Sequence, residues 1–250
     1  MSEKFQEHNI RLTIEYDGSD YCGWQKQLNK PSIQGTLEDL IEKLFGERRA
    51  VYGAGRTDSG VHAKAQVANF KGDDRYSQEK WVRLFNAKLP RSIRITDVKF
   101  VTESFHSQKW ATGKVYEFRI LNRKCHSALD KRVFFYPMPL DLKAMRNALT
   151  HFIGEHDFEV FQGAKATVKT TVRKVQRFEL TEEPGDILRF EIEANGFLKQ
   201  MVRSIMGTVL KVGEGKLDAS EIPEIIRTKN KRRLGRTLSP EGLTLVKVKY

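Results

Sequence analysis

QGTLEDLIEKLFG, at residues 34–46, is the stretch from which the fold of the chain can be worked out. Its large apolar residues recur at intervals of three and four, at Leu37, Leu40, Ile41 and Leu44. That spacing places one apolar face along a helix, and a glycine is a typical residue just past a helix end. The stretch therefore predicts an amphipathic helix over Gln34–Phe45 that ends at Gly46.

The sequence on both sides of this helix predicts strands and one further helix. Runs of alternating or β-branched apolar residues, bounded by turn residues, predict the strands. These are Ile10–Tyr16, Arg49–Tyr52, Ala63–Phe70 and Ile93–Val101, and the second helical pattern covers Gln78–Leu89. The order is β-α-β-β-α-β, which is the ferredoxin-like or split βαβ plan.

The second half of the chain repeats this order of elements. Its predicted strands are Val115–Leu121, Val172–Leu180, Ile187–Ala194 and Leu243–Tyr250, and its predicted helices are Leu142–Ile153, Phe197–Leu210 and Ser220–Arg227. The sequence thus predicts an α+β protein of two pseudo-symmetric ferredoxin-like (βαββαβ) halves, residues 1–110 and 111–250. We expect an extended antiparallel sheet with helices on one face and a ligand cleft between the halves. No repeat of individual residues supports the symmetry, so this prediction depends on element order alone.

The charge of the chain indicates a polyanionic partner. Among 250 residues, 44 Lys and Arg against 32 Asp and Glu give a net charge of +12, and basic proteins bind nucleic acid through its phosphates. A basic surface kept for solubility is the alternative. The polar start MSEKFQEHNI and the lack of an apolar run of about 20 residues favour a cytoplasmic protein. Two cysteines and scattered histidines give no metal-ligand spacing, so we expect no metal.

The segment GAGRTDSGVHA, residues 53–63, is the most unusual in the chain because it has three glycines within eight residues. Asp58 and Arg56 lie in it between two predicted strands. One interpretation is a plain turn, in which Asp58 bonds its own backbone and Arg56 is solvated. The other is a carboxylate that Arg56 keeps ionised for nucleophilic or proton-transfer work. No acidic cluster accompanies Asp58, as two-metal phosphodiester cleavage would require.

The predicted helix Phe197–Leu210 is apolar around most of its circumference, which indicates burial. Its polar stripe comprises Lys199, Gln200, Arg203 and Ser204 and continues to Gly207 and Lys211. The stripe faces either solvent, a carboxylate or an anionic ligand. A guanidinium on a buried helix is costly without a partner, so Arg203 is a candidate to pair with Asp58.

Two further segments have both a structural and an RNA-binding interpretation. Tyr116, in KVYEFR at residues 114–119, is either an ordinary strand aromatic or a platform on which an extruded base stacks. The run RTKNKRRLGR, at residues 227–236, has six basic residues in ten. It is either solvated or in contact with an RNA backbone.

Together these segments resemble the TruA-type tRNA pseudouridine synthases over nearly the whole chain. The strongest match is GRTDSGVHA at 55–63, which is similar to the family's catalytic-aspartate motif. Supporting matches follow the family order: YDGSDYCGWQKQ (16–27), SIQGTLED (32–39), FH (105–106), KVYEFRI (114–120), GEHDF (154–158), TVRKV (171–175), FLKQMVRSIMGTVLKVGEG (197–215) and SPEGLTLVKVKY (239–250).

The resemblance implies isomerisation of uridine to pseudouridine in the anticodon stem-loop of tRNA, at positions 38, 39 and 40. Asp58 would be the nucleophile and Arg56 would help to extrude the base. Tyr116 would stack on the uracil, Arg203 would pair with the aspartate, and Leu243 would line the pocket. The resemblance also implies a homodimer in which one tRNA touches both subunits. Because the isomerisation is redox-neutral and needs no group donor, we expect no cofactor.

The chain departs from the family pattern at three places that commonly face RNA or support the site. Ser107-Gln108 replaces the usual Ala-Arg, Lys199-Gln200 replaces Tyr-His, and the segment that begins Asp157-Phe158 ends Val160-Phe161-Gln162 rather than with Arg. Two other function classes compete with the synthase. A non-catalytic RNA-binding protein or RNA chaperone would use the same basic surface, and a metal-dependent nuclease would cleave RNA and be inhibited by chelators.

Overall fold

The computed structural model describes residues 5–164 and 168–250, so the first four residues of the polar start lie outside it. The chain divides into two compact units: residues 1–112 with 245–250, and residues 113–244. The division predicted at residue 110 differs from this at the carboxyl end. There the amide of Thr112 donates to the carbonyl oxygen of Lys249 at 2.9 Å, and the Tyr250 hydroxyl donates to that of Ser107 at 2.9 Å. These bonds hold the last residues to the first unit.

The first unit has the predicted β-α-β-β-α-β order. Its elements are β1 (Glu7–Tyr16), α1 (Ile33–Phe45), β2 (Tyr52–Gly53), β3 (His62–Asp73), α2 (Gln78–Lys88) and β4 (Ile93–Val101). β1 lies between β3 and β4 and is antiparallel to both. The register of β1 against β3 shifts between Ile14 and Tyr16, and Tyr16 pairs with Ala63. The end of β1 therefore lies beside the start of β3, where the glycine-rich loop ends.

Aromatic rings join the helices of the first unit to its sheet. Phe45 of α1 stacks on Trp81 of α2 at 5.6 Å, and Phe70 of β3 meets both Phe45 and Phe85 edge to face. Trp81, Phe85 and Phe70 are almost wholly buried, and each buried aromatic side chain contributes about 2 kcal/mol through the area it removes from water. This cluster fixes α1 and α2 on one face of the strands.

The carboxyl end of α1 agrees with the prediction, and its amino end lies one residue earlier, at Ile33. Both ends depend on local chemistry. The Ser32 hydroxyl accepts a hydrogen bond from the amide of Gly35, and Gly46 adopts a left-handed conformation with φ 77°. Such an amino-terminal cap stabilises a helix by about 1 kcal/mol. Glycine adopts positive φ without the steric cost that a side chain brings.

The predicted strand Arg49–Tyr52 is wrong in its bounds, since the strand is only Tyr52–Gly53. The reason lies in how the backbone of Val51 is satisfied. Its amide donates to the Glu38 carboxylate at 3.3 Å, and its carbonyl accepts from the Gln34 side chain at 3.0 Å. Side chains of α1 thus take the place of a neighbouring strand.

The second unit contains the remaining helices and most of the remaining strands. These elements are β5 (Gly113–Leu121), β6 (Phe134–Phe135), α3 (Leu142–Thr150), β7 (Gly154–Asp157), β8 (Val172–Glu183), β9 (Ile187–Ala194), α4 (Met201–Gly213), α5 (Ile222–Thr228) and the start of β10 (Leu243–Lys249). Its strands follow the order β5-β9-β8-β7, with β6 parallel to β5. The strands predicted at Val172–Leu180 and Ile187–Ala194 correspond to β8 and β9, which pair antiparallel.

Two predicted helices in the second unit are wrong in their bounds, and α4 also continues past its predicted end at Leu210 to Gly213. The predicted Leu142–Ile153 helix ends at Thr150, since the backbone then turns toward Gly154, which has φ 109°. The predicted Phe197–Leu210 helix begins only at Met201, because Gln200 has a left-handed conformation with φ 60°. The expected burial of α4 is confirmed, since Arg203 and Lys211 are its only residues that are not buried. Among the described residues, no helix is both long and apolar enough to cross a membrane.

Candidate active site

The glycine-rich loop, which we define as residues 54–61, connects β2 to β3 in the first unit. Thr57 is buried, Asp58 is half-buried and Arg56 is exposed. Neighbouring side chains of one short loop therefore differ sharply in their access to water. A half-buried carboxylate next to an exposed guanidinium suits a site that receives a ligand from solvent.

Thr57 fixes the centre of the loop to the end of β1 and to the segment that follows it. Its hydroxyl lies 2.8 Å from the Tyr16 hydroxyl, and both groups are buried. Its carbonyl oxygen accepts from the amide of Trp24 at 3.1 Å. Gly23 is essential to this approach, because a Cβ atom there would lie 2.5 Å from the same carbonyl oxygen. The backbone immediately before Asp58 is therefore held by β1 and by residues 23–24.

Both flanks of the loop are also anchored within the first unit. The Gln66 side chain of β3 donates to the carbonyl of Gly55 at 2.8 Å. On the other flank, the Ser59 hydroxyl and the Gly60 amide donate to the carbonyl of Tyr21, at 3.2 and 3.3 Å. With those of Thr57, these contacts restrain the loop at four residues on the two sides of Asp58, so Asp58 is presented from a fixed backbone.

The turn expected at Asp58 is present, but it uses the main chain. The amide of Val61 donates to the main-chain carbonyl of Asp58 at 3.2 Å, and Gly60 adopts φ 78°. The carboxylate is not required for this bond. The turn and the catalytic interpretations of Asp58 are therefore compatible.

The sequence did not assign a role to several residues that build the site. Tyr16, Tyr21, Gly23 and Trp24 all lie in the motif YDGSDYCGWQKQ, which matched the family without an assigned function. Their contacts with the loop make them positioning residues for Asp58. The signal was available in the unusual density of glycine and aromatic residues after a predicted strand end.

Tyr116 lies on β5 in the second unit and is buried. Its ring meets that of Phe197 edge to face, with 5.0 Å between centroids. Leu243, at the start of β10, is also buried. The neighbouring Gly242 has no room for a side chain, since a Cβ atom would lie 2.7 Å from the carbonyl of Arg119 on β5. Leu243 therefore begins its strand close to β5.

Arg203 lies on α4, and the loop before β10 crosses the helix there. Its Nε donates to the carbonyl of Leu238 at 2.6 Å, and the amide of Leu238 donates back to the carbonyl of Arg203 at 3.2 Å. One turn further along α4, Gly207 meets Gly235 backbone to backbone, where a Cβ atom on Gly235 would lie 1.9 Å from the Gly207 carbonyl. Part of the polar stripe of α4 thus faces the chain segment 235–238 rather than bulk solvent.

The basic run 227–236 is exposed over residues 227–233. Several of its cations are already paired inside the second unit. Arg227 contacts Glu224 at 2.6 Å, Lys229 contacts Asp157 at 2.7 Å, and Arg233 pairs with Glu221. Exposed pairs of this kind contribute at most about 1 kcal/mol each to stability and leave the surface accessible to a ligand. The run therefore fits either of its two interpretations.

Two of the departures from the family pattern form structural contacts. Ser107 is wholly buried; its amide donates to the Asn69 side chain at 2.9 Å, and its hydroxyl donates to the carbonyl of Tyr52. In the second unit, Lys199 donates to the carbonyl of Ala164 at 3.1 Å. Both departures therefore support the backbone within their own units.

The five predicted site residues divide between the units. Arg56 and Asp58 share one loop of the first unit, whereas Tyr116, Arg203 and Leu243 belong to the second. A cavity of about 650 Å³ lies elsewhere in the second unit, beside α3 and α5, and none of the five lines it. Within residues 5–164 and 168–250, no group of three or more His, Cys, Asp or Glu is placed to hold a metal ion.

The loop holds Asp58 near Arg56, and it packs so closely on Gly23 that no side chain fits there. A family model described as tRNA pseudouridine synthase matches residues 12–108 and 148–250. The chain belongs to the tRNA pseudouridine synthase family. The matched ranges contain the loop with Asp58 and the helix with Arg203, and the resemblance inferred from the motifs is confirmed.

Relatives of the synthase match it over nearly its whole length. The tRNA pseudouridine synthase A of Caldicellulosiruptor bescii is 46% identical over 97% of this chain and 99% of its own length. That of Myxococcus xanthus is 40% identical over 96% and 91%, and tRNA pseudouridine synthase A 2 of Clostridium perfringens is 43% identical over 97% and 99%. The synthase is accordingly an isomerase that acts on tRNA uridines, and the predicted enzyme class is confirmed.

Similarity to solved structures is much lower. One chain of an H/ACA RNP bound to a substrate RNA containing 2′-deoxyuridine is 14% identical, with a TM-score of 0.38. The match covers 94% of the synthase but only 47% of that chain, about half its length. A similarity of this size carries no argument about the site.

Proposed function

We propose that the synthase isomerises uridine to pseudouridine in the anticodon stem-loop of tRNA, at positions 38, 39 and 40, with Asp58 as the catalyst. Family membership supports the reaction, and the match of GRTDSGVHA to the catalytic-aspartate motif supports the choice of residue. The resemblance also supports a cytoplasmic homodimer in which one tRNA contacts both subunits. The net charge of +12 favours such a polyanionic substrate.

The observation that carries the proposal is the way the loop presents Asp58. Its backbone is held on both sides by Thr57 and by Gly60, while its side chain is half-buried. A catalytic group must be held close to its productive geometry, and rigid neighbours achieve this better than a mobile loop. An aspartate needed only for a turn would not require four anchors around it.

The other predicted residues have roles that follow from their chemistry. Arg56 is exposed and would engage the RNA as the base leaves the stack. Tyr116 would stack on the extruded uracil and serve in proton transfer, and Leu243 would line the pocket beside it. Arg203 would pair with Asp58, and a guanidinium partner favours the ionised form of a carboxylate.

The reaction balances without a redox partner or a group donor. The bond between N1 of the uracil and C1′ of the ribose breaks, the ring rotates, and a bond forms between C5 and C1′. The proton on C5 leaves and N1 gains one, so no cofactor is needed. Asp58 can attack the sugar, attack the ring or remove a ribose proton, and each route requires it to be ionised.

The fold proposal extends the same reasoning to the whole chain. Two pseudo-symmetric ferredoxin-like halves with a substrate cleft would place an aspartate from one half beside a stacking tyrosine from the other. What supports the symmetry is the order strand, helix, two strands and helix, which the second unit shares with the first once β6 and β7 are set aside. The second unit differs at its end, because most of β10 belongs to the first unit.

The experiment that tests the proposal is release of tritium from C5-labelled uridine in a tRNA transcript. Asp58→Asn keeps the shape of the side chain, and the loop turn uses only the main-chain carbonyl, so folding should be unchanged. We expect its turnover to fall at least about a thousandfold with tRNA affinity within about tenfold of the wild type. Asp20→Ala, which removes an exposed carboxylate next to Tyr21 in the sequence, is the matched control and should retain full activity.

Three outcomes would contradict the proposal in different ways. Tritium release that survives Asp58→Asn excludes the aspartate as catalyst. Binding of tRNA without tritium release by the wild type favours the non-catalytic RNA-binding alternative. Tritium release with pseudouridine mapped outside positions 38–40 keeps the reaction but excludes the proposed target.

A further inference from the structure

Lys114 lies on the same face of β5 as Tyr116. The two residues are two positions apart on one strand, opposite Ala194 and Ile192 of β9. Residues at this spacing point to the same side of a sheet with their Cα atoms about 7 Å apart. That separation is comparable with the distance between a base and the phosphate of its own nucleotide.

Arg173, on β8, lies on the same face of the sheet as Lys114 and Tyr116. Ala194 is opposite both Lys114 and Val175, and Arg173 precedes Val175 by two residues, so its side chain lies on the same face. Its Nε lies 3.5 Å from the position that a Cβ atom of Gly196 would occupy. The lack of a side chain at Gly196, just past the end of β9, thus leaves space for the arginine side chain there.

The two cations are poorly neutralised. Burial lowers the pKa of the Lys114 ammonium, and the nearby charge of Arg173 lowers it further. Burial also lowers the pKa of the Arg173 guanidinium. In the described part of the chain neither forms an ion pair, and the only hydrogen bonds that Arg173 donates go to the carbonyls of Thr170 and Val172, at 2.9 and 2.6 Å.

The opposite face of the same strands behaves differently. There Arg119 contacts Glu183 at 3.2 Å and Arg189 contacts Glu191 at 2.8 Å, while Arg177 pairs with Glu191 as well. Cations that serve only to stabilise the sheet are therefore matched with carboxylates. The pair on the Tyr116 face is not, and two like charges out of bulk water are unfavourable unless an anion joins them.

We propose that Lys114 and Arg173 form a binding site for one phosphodiester of the RNA, next to the nucleotide whose base stacks on Tyr116. The site would hold the backbone while the base is out of the helix. It rests on the proposed function only in taking Tyr116 as the base-stacking residue. The phosphate belongs either to the 5′ or to the 3′ side of that nucleotide, and it supplies the missing negative charge in either case.

The test combines protein variants with modified RNA. Lys114→Gln and Arg173→Gln remove one charge each, Lys114→Arg keeps it, and Lys174→Gln removes an adjacent exposed lysine that points to the other face. Each protein is titrated with tRNAs in which a single methylphosphonate replaces the phosphate 5′ or 3′ to position 38, 39 or 40. Binding is measured at several salt concentrations, and tritium release is measured separately.

We expect each Gln variant to bind unmodified tRNA about tenfold more weakly and to reduce the slope of log K against log salt by about one. One methylphosphonate should weaken wild-type binding by a similar factor and weaken the Gln variants no further, which identifies the bound phosphate. Lys114→Arg should bind like the wild type, and Lys174→Gln should lose at most about twofold.

The inference is overturned if every methylphosphonate weakens binding by the Gln variants as much as it weakens binding by the wild type. It is also overturned if Lys114→Gln and Lys174→Gln lose equal affinity for tRNA. If substitution of Lys114 disturbs folding, Lys114→Arg will also bind weakly and will have a lowered melting temperature. In that case the binding of Arg173→Gln to unmodified and methylphosphonate tRNA decides the question. An inactive wild type overturns the proposed function, whereas the phosphate site is still judged from binding alone.

Discussion

The hydroxyl oxygen of Tyr16 lies 2.8 Å from Oγ1 of Thr57, the residue that precedes Asp58. Burial raises the pKa of the Tyr16 phenol to about 12, although its bond to Thr57 opposes that rise. The phenol therefore stays protonated at neutral pH and cannot serve as a base there. Its contribution is to hold the loop, which makes it a positioning residue.

Tyr16→Phe should lower kcat about tenfold, because the loss of one buried hydrogen bond loosens the backbone before Asp58. KM should change little, since a buried hydroxyl is not accessible to RNA. The pH dependence of kcat should keep its shape, and this can be measured from pH 5 to 9 by tritium release. A profile that shifts with the substitution would instead give the phenol a part in proton transfer.

Gly23→Ala should abolish most activity. The added Cβ would lie 2.5 Å from the carbonyl oxygen of Thr57 and 3.0 Å from the carbonyl carbon of Asp58, at a residue with φ 91°. Displacement of a catalytic group by about 1 Å costs about a hundredfold in rate. Gly46→Ala is the control, because it also has positive φ but no atom within 4 Å of the added Cβ.

The control separates backbone strain from displacement of the loop. Gly46→Ala should lower the free energy of unfolding by about 1 kcal/mol and leave kcat unchanged. Chemical denaturation and steady-state kinetics on both variants give the comparison. Equal loss of activity in the two would mean that strain, and not the contact of Gly23 with the loop, limits turnover.

The fold was predictable where local chemistry decides it. The helix that begins after Ser32 and ends at Gly46 carries its own apolar face and caps, and the strand Ile93–Val101 was predicted with its observed bounds. The start of α4 was not predictable, since the apolar pattern continues back to Phe197 while the backbone of Gln200 is left-handed. A periodic pattern reports which residues face the core, and it does not report the backbone conformation at a helix end.

The candidate site shows the same division. The density of glycine around Asp58 and Arg56 was enough to select their loop from the sequence. The segment that contains Tyr16 and Gly23 was recognisable from its glycine and aromatic residues, but its contacts with the loop were not predictable, because these two residues lie more than 30 positions from the loop. They depend on the register shift at the end of β1, which no local pattern encodes.

The carboxylate of Asp157 should make part of the stability of the second unit depend on pH. A hydrogen bond from Lys229, and then one from Thr171, hold the pKa of Asp157 below its usual value. A carboxyl group with a lowered folded-state pKa stabilises the protein above its unfolded pKa of about 4. That stabilisation is lost as the pH falls through the folded pKa.

Asp157→Asn should therefore lower the free energy of unfolding at pH 7, with the difference from the wild type shrinking below about pH 4. The amide still caps the following turn, so the loss reports the charge. Asp141→Asn, at the cap of α3, is the control and should lose less at pH 7, because no Lys or Arg in the described ranges forms an ion pair with it. A difference that is constant between pH 3 and 7 would show that the charge of Asp157 does not matter.

Arg203→Ala should cut turnover severely, by about a hundredfold or more, and leave tRNA affinity within about tenfold. Its proposed role is to keep Asp58 ionised, and its Nε also holds the carbonyl of Leu238 at 2.6 Å. Arg203→Lys keeps the charge but loses the planar donor, so it should recover part of the rate.

Lys211→Ala, two turns along the same helix, is the control. It removes a cation whose Nζ donates to the carbonyl of Arg233 at 2.9 Å, and it should retain near wild-type turnover. Single-turnover kinetics with the enzyme in excess over tRNA, together with filter binding, separate the two effects. Equal loss of binding and turnover in Arg203→Ala would mean that the guanidinium contacts a phosphate and does not act on the aspartate.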